Sequence, residues 1–293
     1  MTPSNFRETP GIEKRDDATV VSELPPDSNN GVNGELEQVV DYWNAHLNST
    51  QFLGDSPIEE GSPEFFAEIE AGFERFPYKA GLFDHIAQLP GGKLLEIGCG
   101  LGNDLCQIAR RGLDATGIDI APRAVELAQQ HLASRDLKAT VMRANCEDLP
   151  FASDSFDIVY SSGVIQHTPN IKAAAAEILR VLRPGGTLVI ILYHRYSWFN
   201  LLSKLTRTNV EFADADAPII RTFSKGQLRQ LFRTATDLKI TMEHFRPSPT
   251  VRKGALGALF NRVFVPCYGF MPECVIRPFG WHAVVIGNKA HTK

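Results

Sequence analysis

The chain has 293 residues of which 43% are apolar, enough to bury a sizeable core in one large domain or two small ones. Lys+Arg 30 against Asp+Glu 34 leave a net charge of −4 with no dense basic stripe, so nucleic acid is not expected as a partner. Five cysteines, an odd number without paired close spacing, argue against a disulfide framework and for reduced thiols in a cytosolic setting.

From Met1 to about Asn33 charges mix with Pro25, Pro26, Asn29, Asn30 and Gly31, and no apolar run reaches signal-peptide length, so residues 1–33 read as a disordered tail. Helical spacing runs from Leu36 to about His46 (Val39, Val40, Trp43) and from Pro63 to Phe76 (Phe65, Phe66, Ile69, Phe73). Pro90-Gly91-Gly92 breaks that pattern and ends an N-terminal helical segment, 34–92. The stretch 93–194 then alternates. Strands are expected at 94–97, 115–119, 138–143, 156–162 and 187–193, and helices at 103–111, closed by Gly112, at 122–134, opened by Pro122, and at 170–182. Near-continuous apolar strands between helices predict a doubly wound α/β layout, a mostly parallel sheet covered on both faces. Beyond Tyr193 the pattern loosens into an aromatic stretch (Tyr196, Trp198, Phe199). A helix is expected from Ser224, its N-cap, to Ala235, and strands at about 239–246 and 281–287. The apolar run Gly254 to Ile276 is interrupted by Asn261, Arg262, Pro266 and Glu273, which excludes a transmembrane span there.

The most informative run is Leu94-Leu95-Glu96-Ile97-Gly98-Cys99-Gly100-Leu101-Gly102, an apolar strand carrying an acid and leading through three alternate glycines into a helix. The dinucleotide fingerprint G-x-G-x-x-G needs its third glycine at position 103, which is Asn; the spacing argues against a pyrophosphate cradle and for a different adenosine-containing ligand. Glu96 suits a ligand with a cationic end. Asp119 ends the second strand 21 positions after Gly98, where a ribose-binding acid is expected, and the other reading is a carboxylate capping the helix after Ile120-Ala121-Pro122.

Over roughly residues 93–194 this pattern resembles the class I S-adenosylmethionine-dependent methyltransferases, with Glu96 to Gly102 as their first motif. The resemblance implies a Rossmann-like sheet closed by a C-terminal antiparallel hairpin, N-terminal helices as a lid, and S-adenosyl-L-methionine as cofactor. It places Gly98, Cys99, Gly100, Gly102, Asp119 and Ile120 around that cofactor, with Asn145, Cys146 and Glu147 in the adenine loop and Ser162 and Gly163 beside the methionine part. An Asp is usual at the position of Asn145; an Asn carbonyl can accept the same bond from an adenine amino group, and a local turn is the other reading. No Asn/Asp-Pro-Pro-Tyr run comes after the fourth strand, which disfavours methylation of planar amides or base amines.

The implied activity is methyl transfer to an O, N or C atom of a small acceptor, with apolar or aromatic character suggested by Tyr42, Trp43, Tyr78, Tyr196, Trp198 and Phe199. His167 is the first candidate for a general base, with loop ordering as its other reading, and His194 and Tyr193 at the end of the fifth strand are further candidates. No metal is expected, because no His, Cys or carboxylate cluster has ligand spacing. The competing readings are a non-catalytic module that binds the same cofactor and, less in keeping with the glycine spacing, a nicotinamide-dependent oxidoreductase or epimerase.

Overall fold

A computed structural model describes residues 32–50, 53, 58–206, 216–244, 262–263 and 265–291. In chain order the elements are α1 (Val32–Ala45), α2 (Pro63–Ala71) running on into a 3-10 turn, α3 (Pro77–Ile86), β1 (Lys93–Ile97), α4 (Asn103–Ala109), β2 (Asp114–Asp119), α5 (Pro122–Ser134), β3 (Thr140–Arg143) and β4 (Phe156–Ser162). After a 3-10 turn at Ile165–His167 come α6 (Ile171–Val181), β5 (Leu182–Tyr193), α7 (Trp198–Thr206), α8 (Lys225–Leu231), β6 (Ala235–Glu243), α9 (Val265–Phe270), α10 (Glu273–Ile276) and β7 (His282–Lys289). Seven strands form one sheet in the order β3-β2-β1-β4-β5-β7-β6. The first five pair in parallel, and β7 lies antiparallel between β5 and β6. The expected α/β architecture and closing hairpin are both present.

The chain runs outward from β1 to β3, then returns to β4 beside β1 and runs the other way. That reversal opens a crevice at the carboxyl ends of β1 and β4, the place where open α/β sheets bind ligands. Side-chain alternation along β1 divides the core. Leu95 and Ile97 join Ile171, Ile178, Phe223 and Phe232 on one face, while Leu94 packs with Leu82, Phe83, Leu105 and Ile108 on the other. A third cluster (Phe65, Phe66, Ile69, Ala124, Leu127) fixes α2 against α5.

Sequence spacing missed α3 and α7. Pro77 opens α3 as a first-turn proline and its buried Leu82, Phe83 and Ile86 have helical spacing, but Ala80 and Gly81 dilute the pattern. The run Arg183-Pro184-Gly185-Gly186 lies within β5 as a bulge, since Leu182 pairs with Phe156 and Thr187 with Ile158. Ser224 caps α8 as expected, in a reciprocal pair with Gln227, although the helix stops at Leu231 and β6 starts at Ala235. The tail expected over 1–33 lies outside the described residues except for Val32 and Asn33, which are helical; residues 245–261 also lie outside them.

Candidate active site

A cleft of about 90 Å³, partly open to solvent, lies over the ends of β1, β2 and β4. Its floor is the glycine loop. Gly98 takes φ +73°, and a Cβ there would stand 2.2 Å from Val164 Cγ2, so this glycine lets the loop after β1 pass against the loop after β4. Gly100 takes φ +51° and a Cβ there would meet nothing within 4 Å. Gly100 lines the cleft, so the space kept free at this point belongs to the cleft itself.

The carboxylate of Asp119 stands at the end of β2 on the same cleft. Its Oδ2 accepts from Gly100 N at 2.9 Å and its Oδ1 from Ala121 N at 3.0 Å. Burial holds its carboxyl above the ordinary value against the lowering pull of the backbone N–H groups of Ala121, Gly100 and Ile120. One carboxylate therefore ties the glycine loop to the start of α5 and retains further lone pairs for a ligand with two hydroxyls. Both sequence readings of Asp119 are compatible with this geometry.

Beside it, Ile120, Ala144, Asn145 and Cys146 form a mostly apolar slot. Asn145 Oδ1 accepts from Glu147 N at 3.0 Å, the local turn that is its other reading, while its side chain still borders the cleft. The opposite wall comes from α1, with Leu36, Val39 and Trp43, and from Leu47 and Asn48 just beyond it. Asn44 pins that wall, its Oδ1 accepting from Arg123 N at 3.1 Å at the start of α5.

His167 reaches the cleft from the loop after β4. Its Nδ1 faces Ile219 O at 2.7 Å and must carry a proton there, which leaves the ring's lone pair on Nε2. That atom lies 3.2 Å from the amide nitrogen of Gln166, a fully buried side chain whose Oε1 has no partner. Trp43 meets the His167 ring edge-on at 5.1 Å between centroids. The loop is held from two sides. The Arg221 guanidinium donates to the carbonyls of Thr168 and Pro169, and Glu147 accepts from the Thr168 hydroxyl and, at 2.6 Å, from Asn170 N.

The sequence profile of the methyltransferase domain family matches residues 95–190, the stretch from β1 into β5 that builds this cleft. Residues 95–190 form a methyltransferase domain. The chain is 32% identical over 150 residues to 2-methyl-6-phytyl-1,4-hydroquinone methyltransferase of Synechocystis, covering 51% of this chain and 45% of that protein. It is 34% identical over 98 residues to a sterol 4-C-methyltransferase of Caenorhabditis elegans, covering 33% and 29%. The matches thus span about half the length, or less, of these curated relatives. In fold the chain resembles geranyl diphosphate C-methyltransferase from Streptomyces coelicolor, at TM-score 0.56 and 13% identity, covering 89% of this chain and 100% of that one.

Not every residue expected at the cofactor reaches the cleft of the methyltransferase domain. Glu96 does not line the cleft, because it alternates with Leu95 and Ile97 and so lies on the other face of the sheet, 2% exposed. There burial, and Asp104 next, push its carboxyl well above the ordinary value although Lys79 pulls the other way. Lys79 Nζ and Tyr160 OH both bond Asp104 Oδ2, at 2.6 and 2.7 Å, while Glu96 Oε2 has no hydrogen-bond partner. Ser162 bonds the Tyr160 hydroxyl on that same face. Cys99 is buried beneath the loop, Gly102 caps α4 against Ala128, and Glu147 orders the neighbouring loop instead of bordering the cleft.

Of the other two candidate bases, Tyr193 stands near the cleft floor, its hydroxyl 3.8 Å from where a Gly163 Cβ would be. His194 is buried away from the cleft with Nδ1 donating to Gly280 O at 3.1 Å, and burial lowers its pKa. Among the expected specificity aromatics Trp43 lines the cleft, whereas Tyr78 bonds His282 Nδ1 at 2.8 Å and Trp198 packs on Tyr268. The cleft walls supplied by Leu36, Val39, Leu47 and Val164 are not among the residues expected from sequence; the apolar spacing of α1 is the one signal for them.

Proposed function

We propose that this chain is an S-adenosylmethionine-dependent methyltransferase acting on a small acceptor with an apolar body. The observation that carries the reading is the free space at Gly100 beside the Asp119 carboxylate, at the point where the sheet reverses. Asp119 would take the ribose, Ile120, Asn145 and Cys146 the adenine, and Gly98, Gly100 and Gly163 the methionine part; the spare lone pairs and apolar slot fit those groups. When bound, the cofactor supplies a methyl group on a sulfonium, open to in-line attack.

The protein's own part is orientation, exclusion of water and proton handling. The wall of Leu36, Val39, Trp43 and Leu47 offers apolar contact to an acceptor, in keeping with relatives named for a hydroquinone and a sterol. For an acceptor that must lose a proton, His167 Nε2 is the base. Half a turn of the Gln166 amide exchanges its donor for its acceptor, so the same residue serves either protonation state of the imidazole.

Titration calorimetry with S-adenosylmethionine, S-adenosylhomocysteine and NAD tests the reading: the first two should bind and NAD should not. Binding of NAD alone would overturn it. The glycines add a finer check, since Ala at either site shares the same left-handed backbone penalty. Gly98→Ala should in addition lose about 1 to 3 kcal/mol of stability from the clash with Val164, seen as a lower unfolding midpoint. Gly100→Ala should spare that stability and weaken cofactor binding instead.

A further inference from the structure

The glycine loop is held by more than Asp119. One residue beyond Gly100 the carbonyl of Leu101 lies 2.8 Å from Nδ1 of His131 on α5. A carbonyl can only accept, so Nδ1 carries a proton and donates it. The imidazole is wholly buried, at 0% exposure, and α2 sets its position. Phe66 stacks on it at 4.5 Å between ring centroids and 7° between planes, and Oε1 of Glu70 stands 3.2 Å from Nε2. Enclosing a polar ring so completely is costly unless its polar atoms find partners, and here one of those partners is the loop itself.

Glu70 is itself anchored. It accepts from Arg110 at the end of α4, at 2.5 Å, and from Nε of Arg135 at the end of α5, at 3.3 Å. Although burial raises its pKa, these two guanidinium groups hold its carboxyl below the ordinary value. The carbonyl and the carboxylate are both acceptors, so bonding both takes two protons on the ring, and burial opposes the second. Glu70 has the two arginines as donors besides the ring, which leaves a single proton where Leu101 O takes it. The side chain of Leu101 also packs with Phe65, Phe66 and Ile69 of α2. That helix precedes residues 95–190, so a segment outside the methyltransferase domain reaches the loop that floors the cleft.

We infer that His131 is a positioning residue for the cofactor: from α5 it fixes the peptide between Leu101 and Gly102, and so the loop at Gly100, while α2 holds its ring in place. The inference rests on the methyl-transfer reading. Titration calorimetry of the full chain with S-adenosylhomocysteine tests it. His131→Leu, which fills the site without a donor, should weaken binding by about tenfold. His131→Gln, whose longer side chain carries its amide past the place of Nδ1, should lose about as much. His131→Asn, whose amide nitrogen can stand where Nδ1 stands, should bind within about threefold of the wild type. All three variants lose the Phe66 stack and the Glu70 contact, so their unfolding midpoints should fall alike; a merely structural role would make their affinities fall alike too. Equal losses in the Asn and Gln variants, or wild-type affinity in His131→Leu, would overturn the inference. Failure of the wild type to bind S-adenosylhomocysteine would overturn the cofactor reading, and this inference with it.

Discussion

Asp119→Ala should weaken S-adenosylmethionine binding by about 2 to 4 kcal/mol, roughly 30- to 1000-fold, when measured by calorimetry. The loss has two sources in the geometry. The carboxylate is the charged acceptor facing the cleft at the end of β2, and it also holds Gly100 N at 2.9 Å and Ala121 N at 3.0 Å. Without it the glycine loop loses its tie to α5 as the ligand loses its partner. Asp119→Asn, which keeps one oxygen acceptor, should fall between wild type and Ala. An Ala variant that binds as tightly as the wild type would remove Asp119 from the site.

His167→Ala should slow transfer to an acceptor that must be deprotonated by about 10² to 10⁴-fold while leaving cofactor affinity nearly intact. The proton on Nδ1 is fixed by Ile219 O at 2.7 Å, so Nε2 is the ring atom able to take another. A general base at this atom makes the rate depend on pH, and the pH–rate profile of the variant should differ from that of the wild type. Retention of the same pH–rate profile would return His167 to loop ordering. Gln166→Leu separates the two roles: it removes the amide beside Nε2 but leaves the Ile219 contact in place, so a shifted profile with preserved affinity is expected.

The fold is largely legible in the sequence because its signals are local. Alternate glycines after an apolar strand, Pro122 and Ser224 at helix starts, and Gly112 after a helix each act within a few residues. The features that escape depend on contacts between distant parts of the chain. The partner of His167 is a carbonyl at residue 219, and the wall opposite Asp119 comes from Leu36 and Trp43. The face on which Glu96 lies escapes for a related reason: a strand covered on both faces is apolar throughout, so its pattern does not reveal which way an odd polar residue turns. In α7 the spacing of Trp198, Leu201 and Leu205 is present, but it reads as an aromatic stretch because the helix leaves much of that stripe uncovered.

The carboxyl of Glu96, kept from water under the sheet, alters the proton inventory of folding. Its folded-state pKa lies above the ordinary 4.5, so the native protein holds a proton that the opened chain gives up to buffer. Between those two values stability must decline as alkalinity increases, by at most about 1.4 kcal/mol per pH unit for one proton. Glu96→Gln, of the same shape, should remove that component from the slope of denaturant-unfolding stability against pH. Equal slopes in both proteins would mean that the acid is ionised where it lies.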